Sequence, residues 1–405
     1  MGGGQNEVSA AGKAPACAPA CATPRNPGID LLRGISIVLV VMHHMALRLP
    51  LDKGVLGDWL PSWFLYGLQY DGFESVFIFF VISGFLITSN SLARWGTLAA
   101  IDARTFWRRR AARILPCLAI LVAVLCALAL AGARHYTLEQ PGQTLPGAAL
   151  SAFGLFLNVY EARTGYLPAG WDVLWSLSIE ELFYLAFPLV CLVLGRTRLL
   201  VPALLALALS IPVVRAGIRH DEIWAEKNYL QGMAGIATGV LAALLVRRWP
   251  APPASTRRWL AALGVAGLLA VYFAGDALWH VMRLKYMLVL TFSAAALVVA
   301  AHWRAVAGAA PPWRATGWLR SFGRLSYEVY LTHMFVVWLV VDAFGAMGGD
   351  PRRAVVCWPP MLALAWASGW CVERWVSGPL ARALLRARAS RAGPRAGSPS
   401  TQACG

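Results

Sequence analysis

Charge is what this sequence of 405 residues has least of, at 14% against 58% hydrophobic. A soluble domain carries about 25% charged residues, so an ordinary water-soluble globule is excluded. Acidic residues are the scarcer sign, with 20 Asp and Glu against 36 Lys and Arg. A long polar segment is also missing, which leaves no place for a second soluble domain. The first residues lack a basic start followed by an apolar core, so no secretory signal peptide is expected. The eight cysteines form no disulfide framework. Cys117, Cys126, Cys191, Cys357 and Cys371 lie in or beside apolar runs. Cys17 and Cys21 make a CxxxC pair with no histidine or second pair near it, so a metal site is not expected.

Apolar runs are what the chain has in abundance. Stretches 35–47, 76–92, 114–133, 182–195, 199–214, 259–274, 286–301 and 354–372 approach or meet the roughly 17–25 residues of a spanning helix. Two more, 231–246 and 325–344, are interrupted by polar residues. The expectation is an all-α polytopic integral membrane protein of about ten transmembrane helices. With the N-terminus inside, arginines such as Arg108, Arg109, Arg110, Arg113, Arg196, Arg247 and Arg257 fall in inside loops. Outside loops are mixed or acidic, as with Asp52, Asp58, Asp71 and Glu74. This alternation is the positive-inside pattern, and it predicts both termini in the cytoplasm of a cell-membrane protein. The net charge of +16 is thereby accounted for by topology, and no nucleic-acid partner is needed. Residues 1–27 read as a disordered cytoplasmic tail, 28–380 as one membrane domain, and 381–405 as a basic cytoplasmic tail.

Several polar groups stand where lipid would penalise them. In "LLRGISIVLVVMHHM" (31–45), Arg33 and His44 are eleven residues apart. Eleven steps of about 100° bring them within about 20° of one face, roughly 16 Å apart along the axis. His43 lies about 80° off that line. Arg33 alone is compatible with snorkelling to the surface, whereas histidines just inside a boundary point to function. In "WSLSIEELFYLAFP" (175–188), Ser176, Glu180 and Tyr184 succeed one another at i,i+4 spacing. Glu180 is expected to meet His44 at a common depth, set its tautomer and raise its basicity.

In "FWRRRAARILP" (106–116), Arg108, Arg109, Arg110 and Arg113 precede a proline-containing helix start. Four arginines serve as a lipid-facing anchor or as a clamp for a phosphorylated donor, since guanidinium forks match phosphate oxygens. In "VFIFFVISGFLIT" (76–88), Ser83 and Gly84 permit close approach by a neighbouring helix or a ligand. In "GRLSYEVYLTHM" (323–334), Ser326, Tyr327, Glu328, Tyr330 and His333 gather near the cytoplasmic end of a span, a density that suggests a cavity lining.

Taken in order, these motifs resemble the membrane-bound acyltransferase-3 family. The shared elements are Arg-x10-His ("RGISIVLVVMHH"), FFxxSGFLIT ("FFVISGFLIT"), RRxxRxxP ("RRAARILP"), WSLxxEExFY ("WSLSIEELFY") and SYxxYLxH ("SYEVYLTH"). The resemblance runs from about residue 28 to 380. It implies transfer of an acyl group, usually acetyl from acetyl-CoA, to a hydroxyl of a carbohydrate, glycolipid or glycosylated small molecule. No permanently bound cofactor is implied, and acyl-CoA is a donor substrate. His44 would be the catalytic histidine and Arg33 its partner on the donor route, with Arg109, Arg110 and Arg113 near the coenzyme's phosphates. Ser83, Trp175, Ser176, Tyr184, Tyr327 and His333 are the candidates for substrate contact. Phe77 and Leu182 depart from the family's pattern on the acceptor side. The rival expectation is a proton-coupled transporter of a glycolipid or polysaccharide intermediate, with His44, Glu180 and His333 as its relay.

Overall fold

The computed structural model describes residues 25–218, 221–309 and 313–389. Among them there are helices and turns but no strand. Most of the N-terminal tail, with Cys17 and Cys21, and the last sixteen residues of the C-terminal tail lie outside the described residues.

The first long helix, α1 (Pro27–Ala46), begins where Asn26 accepts hydrogen bonds from the amides of Gly28 and Ile29, with Pro27 in the first turn. An N-cap side chain followed by proline satisfies the free amides of a helix start. The long helices that follow are α2 (Gly72–Trp95), α3 (Ala103–Leu130), α4 (Trp175–Leu194), α5 (Tyr229–Arg248), α6 (Ala254–Phe273), α7 (Tyr286–Val306), α8 (Ser326–Ala346) and α9 (Trp358–Val372). Eight segments are long and apolar enough to cross a bilayer, and a pair bent by 48°, Leu200–Leu209 with Ile211–Gly217, makes a ninth. α6 also runs the length of the bundle, although it is not among the segments apolar enough to cross. It starts beside Asn26 and Arg304 at one end of the bundle and finishes where Tyr272 bonds Ser75, at the start of α2, at the other. Arg257 and Arg258 in its first turns dilute its apolar character.

Close helix contact is built on glycine. A Cβ on Gly84 of α2 would stand 2.0 Å from the carbonyl oxygen of Ile236 in α5, and one on Gly239 of α5 would stand 1.9 Å from that of Val81. In a membrane, small residues replace the hydrophobic effect as the means of bringing helices together. Of the paired residues Ser83 and Gly84, the glycine therefore receives a helix, and the serine is left for the cavity described below. The helix Gly378–Ala389 continues past the expected boundary at 381, and Ser377 just before it donates to Glu328 at 2.8 Å. Since Arg33 near the start of α1 bonds Ser326 and Ser377 bonds Glu328, both at the start of α8, the first described helix begins at the end of the bundle where the last one lies.

Candidate active site

Two cavities lie back to back inside the bundle. The smaller, about 150 Å³, is lined by Arg33, Ser83, Arg110, Arg113, Ser176, Glu180, Tyr184, Ser326 and Tyr327, among others. The larger, about 420 Å³, opens at the other end and is lined by His43, His44, Arg48, Tyr166, Asp172, Trp175 and Lys227, among others. Val76 and Tyr330 belong to both linings and form the wall between them. The helical spacing that separates Arg33 from His44 thus places one residue in each cavity.

At the arginine end, Arg33 donates to the buried Ser326 hydroxyl from Nη2 at 2.7 Å and from Nε at 3.2 Å. The arginine tetrad is split by helix geometry. Asp102 caps α3 by accepting from the amide of Thr105, so the arginines stand in the helix rather than before it. Arg110 and Arg113, at i,i+3, share a face and line the cavity. Arg110 also lies over the Tyr184 ring, 4.3 Å from its centroid. Arg109 is exposed and outside the lining, which corrects its expected place in the clamp; Arg108, also exposed, turns away with it.

Glu180 requires the second correction. It does not meet His44: its Oε1 accepts from the Tyr184 hydroxyl at 2.6 Å, and Tyr184 in turn bonds Ser83. The cause is depth. Trp175, the first residue of α4, lines the His44 cavity, while Ser176 and Glu180 line the other. Glu180 lies about 7.5 Å further along the axis than Trp175. Tyr327, expected as a substrate contact, lines the same cavity and donates to the carbonyl of Ile114 at 3.2 Å.

The partner of His44 is a second histidine. His333 Nε2 stands 3.4 Å from His44 Nδ1, and the rings meet edge-on with centroids 4.9 Å apart. His44 Nδ1 lies 2.9 Å from the carbonyl of Val40, and His333 Nδ1 lies 2.8 Å from that of Tyr330. A carbonyl only accepts, so each bond requires the proton on Nδ1 and leaves Nε2 as the basic nitrogen. His333 Nε2 therefore presents a lone pair to the N–H of His44. His333 is fully buried behind His44 and belongs to neither cavity lining, which corrects its expected place among the substrate contacts, and it sits deeper than the end of its span where the sequence placed it. α8 carries it two turns beyond Ser326.

Tyr330 is pinned in the wall. Its hydroxyl donates to the carbonyl of Val173 at 2.8 Å and is within 2.7 Å of Ser176 Oγ. Trp175 stacks on Phe73 with centroids 6.0 Å apart. The sequence offered no pattern for one further feature, a buried ion cluster beside the histidine cavity. Lys227 donates to Glu161 at 3.0 Å and also to Asp172. Burial, with Asp172 near it, holds the Glu161 carboxyl above its ordinary range, while Lys227 pulls the other way. A lysine before a glycine-rich helix in a charge-balanced loop was the only trace in the sequence. Among the described residues, no group of three His, Cys, Asp or Glu is arranged to hold a metal ion.

Residues 26–372 match the family model described as an acyltransferase domain. A putative peptidoglycan O-acetyltransferase of Bacillus subtilis is 25% identical over 334 residues, covering 77% of this chain and 48% of that protein. The peptidoglycan O-acetyltransferase of Listeria monocytogenes is 30% identical over 174 residues, 41% of this chain and 24% of that protein. An O-acetyltransferase of Staphylococcus aureus is 29% identical over 175 residues, with 40% and 24% covered. The chain thus spans less than half the length of these relatives. No solved structure matches it.

Proposed function

The chain belongs to the membrane-bound acyltransferase-3 family, and on that premise we propose that it is an O-acetyltransferase of the cell membrane, moving an acetyl group from acetyl-CoA to a carbohydrate hydroxyl. The observation that carries this reading is the pair of cavities joined at one thin wall, arginines in one and His44, backed by His333, in the other. A coenzyme thioester is long, anionic at one end and reactive at the other. Arg110 and Arg113 suit its phosphates, since guanidinium binds phosphate with charge-assisted bonds. The cavity behind them, at about 150 Å³, is small for a whole ligand by the usual 300–1,000 Å³. It suits the narrow pantetheine arm, with the nucleotide outside.

The acyl end then passes between Val76 and Tyr330 toward His44. There His44 Nε2 takes the proton of the acceptor hydroxyl as its oxygen attacks the thioester carbonyl. The carbon–sulfur bond breaks, the proton passes to the departing thiolate, and the products are an ester and free coenzyme A. His333 acts as a positioning residue: its Nε2 accepts from the His44 N–H and favours the imidazolium formed in the transition state. It fills the role expected of Glu180. The Glu180–Tyr184–Ser83 chain instead offers polar contacts to the arm of the donor. Peptidoglycan is the acceptor named for two of the relatives, and a related glycan is the acceptor we propose here.

The test uses membrane vesicles holding matched amounts of wild type and His44→Ala, given radiolabelled acetyl-CoA and glycans. Alkali-labile label in the glycan with wild type only is the expected result. Equal incorporation by both proteins removes His44 from the chemistry, and none with any acyl-CoA refutes the activity.

A further inference from the structure

The buried ion cluster beside His44 is not used by the acyl-transfer step above. Lys227 is almost fully buried, and it bonds Glu161, which has no exposed side chain, and Asp172, whose side chain keeps 27% of its exposure. The cluster joins three separate pieces of chain. Glu161 lies on the short helix Leu157–Thr164 and accepts from the amide of Leu167 at 3.1 Å. Asp172 lies in the turn before α4, and Lys227 in the last turn before α5, where its carbonyl accepts from Asn158 at 2.9 Å. Removing a lysine ammonium from water costs several kcal/mol, and a buried pair often gains nothing over an apolar packing. A bare staple for these segments would not need a carboxylate held at a cavity wall.

Asp172 lines the 420 Å³ cavity together with His44. So does Tyr166, a half-exposed ring with the Lys227 ammonium 4.5 Å from its centroid. Glu226, within 3.5 Å of the Tyr166 hydroxyl, completes that side. A fixed carboxylate next to an exposed aromatic face suits a sugar ring: hydroxyls donate to the carboxylate while the C–H face lies on the ring. The charges sort the sugars further. Lys227 is answered by two carboxylates, and Arg48, the other cation on the lining, donates to the His44 carbonyl at 2.7 Å and lies 4.3 Å from the Trp338 ring centroid. Glu161, Asp172 and Glu226 outnumber these two cations, which disfavours an acidic sugar.

Building on the acetyl-transfer reading, we propose that Asp172, held by Lys227, and Tyr166 form the acceptor subsite, and that it takes an uncharged sugar in preference to a uronate-bearing one. Asp172 accepts from a hydroxyl neighbouring the one that His44 deprotonates, and Tyr166 supports the ring.

The experiment measures acetyl transfer by vesicles to an uncharged N-acetylglucosamine tetramer and to a uronate-bearing tetramer of equal length. Wild type is compared with Asp172→Asn, Tyr166→Ala and Tyr166→Phe. The proposal expects transfer to the neutral glycan at least tenfold above the acidic one. It expects Asp172→Asn and Tyr166→Ala to raise the acceptor KM about tenfold, on the order of one lost hydrogen bond to a charged group, with the acetyl-CoA KM unchanged. Tyr166→Phe keeps the platform and should stay within about twofold of wild type. Tyr166 is half exposed, so its variants fold even if Asp172→Asn loosens the cluster. Wild-type transfer with an unaltered acceptor KM in both Asp172→Asn and Tyr166→Ala, or a preference for the acidic glycan, overturns the subsite alone. Transfer to neither glycan overturns it together with the activity.

Discussion

Arg109 and Arg110 are neighbours in sequence and opposites in the bundle, which makes them the sharpest test of how the donor is held. Arg110 lines the small cavity and lies over Tyr184, while Arg109 points away from the lining. A hydrogen bond to a charged group is worth about 1.5–3 kcal/mol, so removing a phosphate contact should raise the acetyl-CoA KM roughly ten- to 150-fold. An exposed arginine outside the site contributes within about 0.5 kcal/mol, about a twofold effect. Arg110→Ala is therefore expected to lose donor affinity by at least tenfold while Arg109→Ala stays near wild type. Arg110→Lys keeps the charge but loses the planar fork and its stacking, and should fall between them. The assay is initial-rate acetyl transfer in vesicles over a range of acetyl-CoA, at fixed glycan and fixed salt, because surface charge effects are screened by salt. Equal KM values for Arg109→Ala and Arg110→Ala would refute the reasoning, since only a diffuse electrostatic attraction treats the two positions alike.

His44→Ala should lower kcat by roughly 10²–10⁴, the usual contribution of a general base. His333→Ala should cost less, about ten- to 100-fold in kcat, the order of one hydrogen bond to a charged group, with the acetyl-CoA KM held; an unchanged kcat would remove His333 from the dyad. Tyr330→Ala opens the wall that it shares with Val76, so acetyl-CoA hydrolysis without acceptor should rise severalfold relative to transfer. An unaltered ratio of hydrolysis to transfer would show that the wall does not keep water from the thioester. Asp71, outside the spans, is pushed up to about 8 by burial and by Glu74 and Asp276. Its neutral form favours the fold, so thermal stability in detergent should fall as pH rises from about 4 to about 8. Asp71→Asn should flatten that slope, and an equal slope in both proteins would count against it.

Much of the fold was legible because lipid makes strict demands on sequence. Length and apolarity found the eight single spans and the bent pair, while α6, expected to be a span as well, falls short in apolarity. The face shared by Arg33 and His44 also follows from helix periodicity alone. What stayed hidden were relations between helices. Glu180 and His44 each sat a few residues inside the same predicted boundary, yet one turn of α4 is enough to put them on opposite sides of the Tyr330 wall. The pairing of His44 with His333, 289 residues away, depends on how α1 and α8 cross, which no local pattern encodes. Arg109 was grouped with Arg110 because a run of like charges reads as one feature until the helix start at Ala103 fixes which face each occupies.

The wall between the cavities bears on bioenergetics as well as on catalysis. On the proposed reading the coenzyme's phosphates would stay at the arginine end and the acceptor at the histidine end, and the protein would exchange only an acyl group for the acceptor's hydroxyl proton, leaving the net charge at each end unchanged. A charge crossing the membrane would feel about 2.3 kcal/mol per 100 mV; a neutral exchange feels none of it. The modification would then be electrically silent, driven by the supply of thioester on one side and continuing at the same rate in an energised or a depolarised cell.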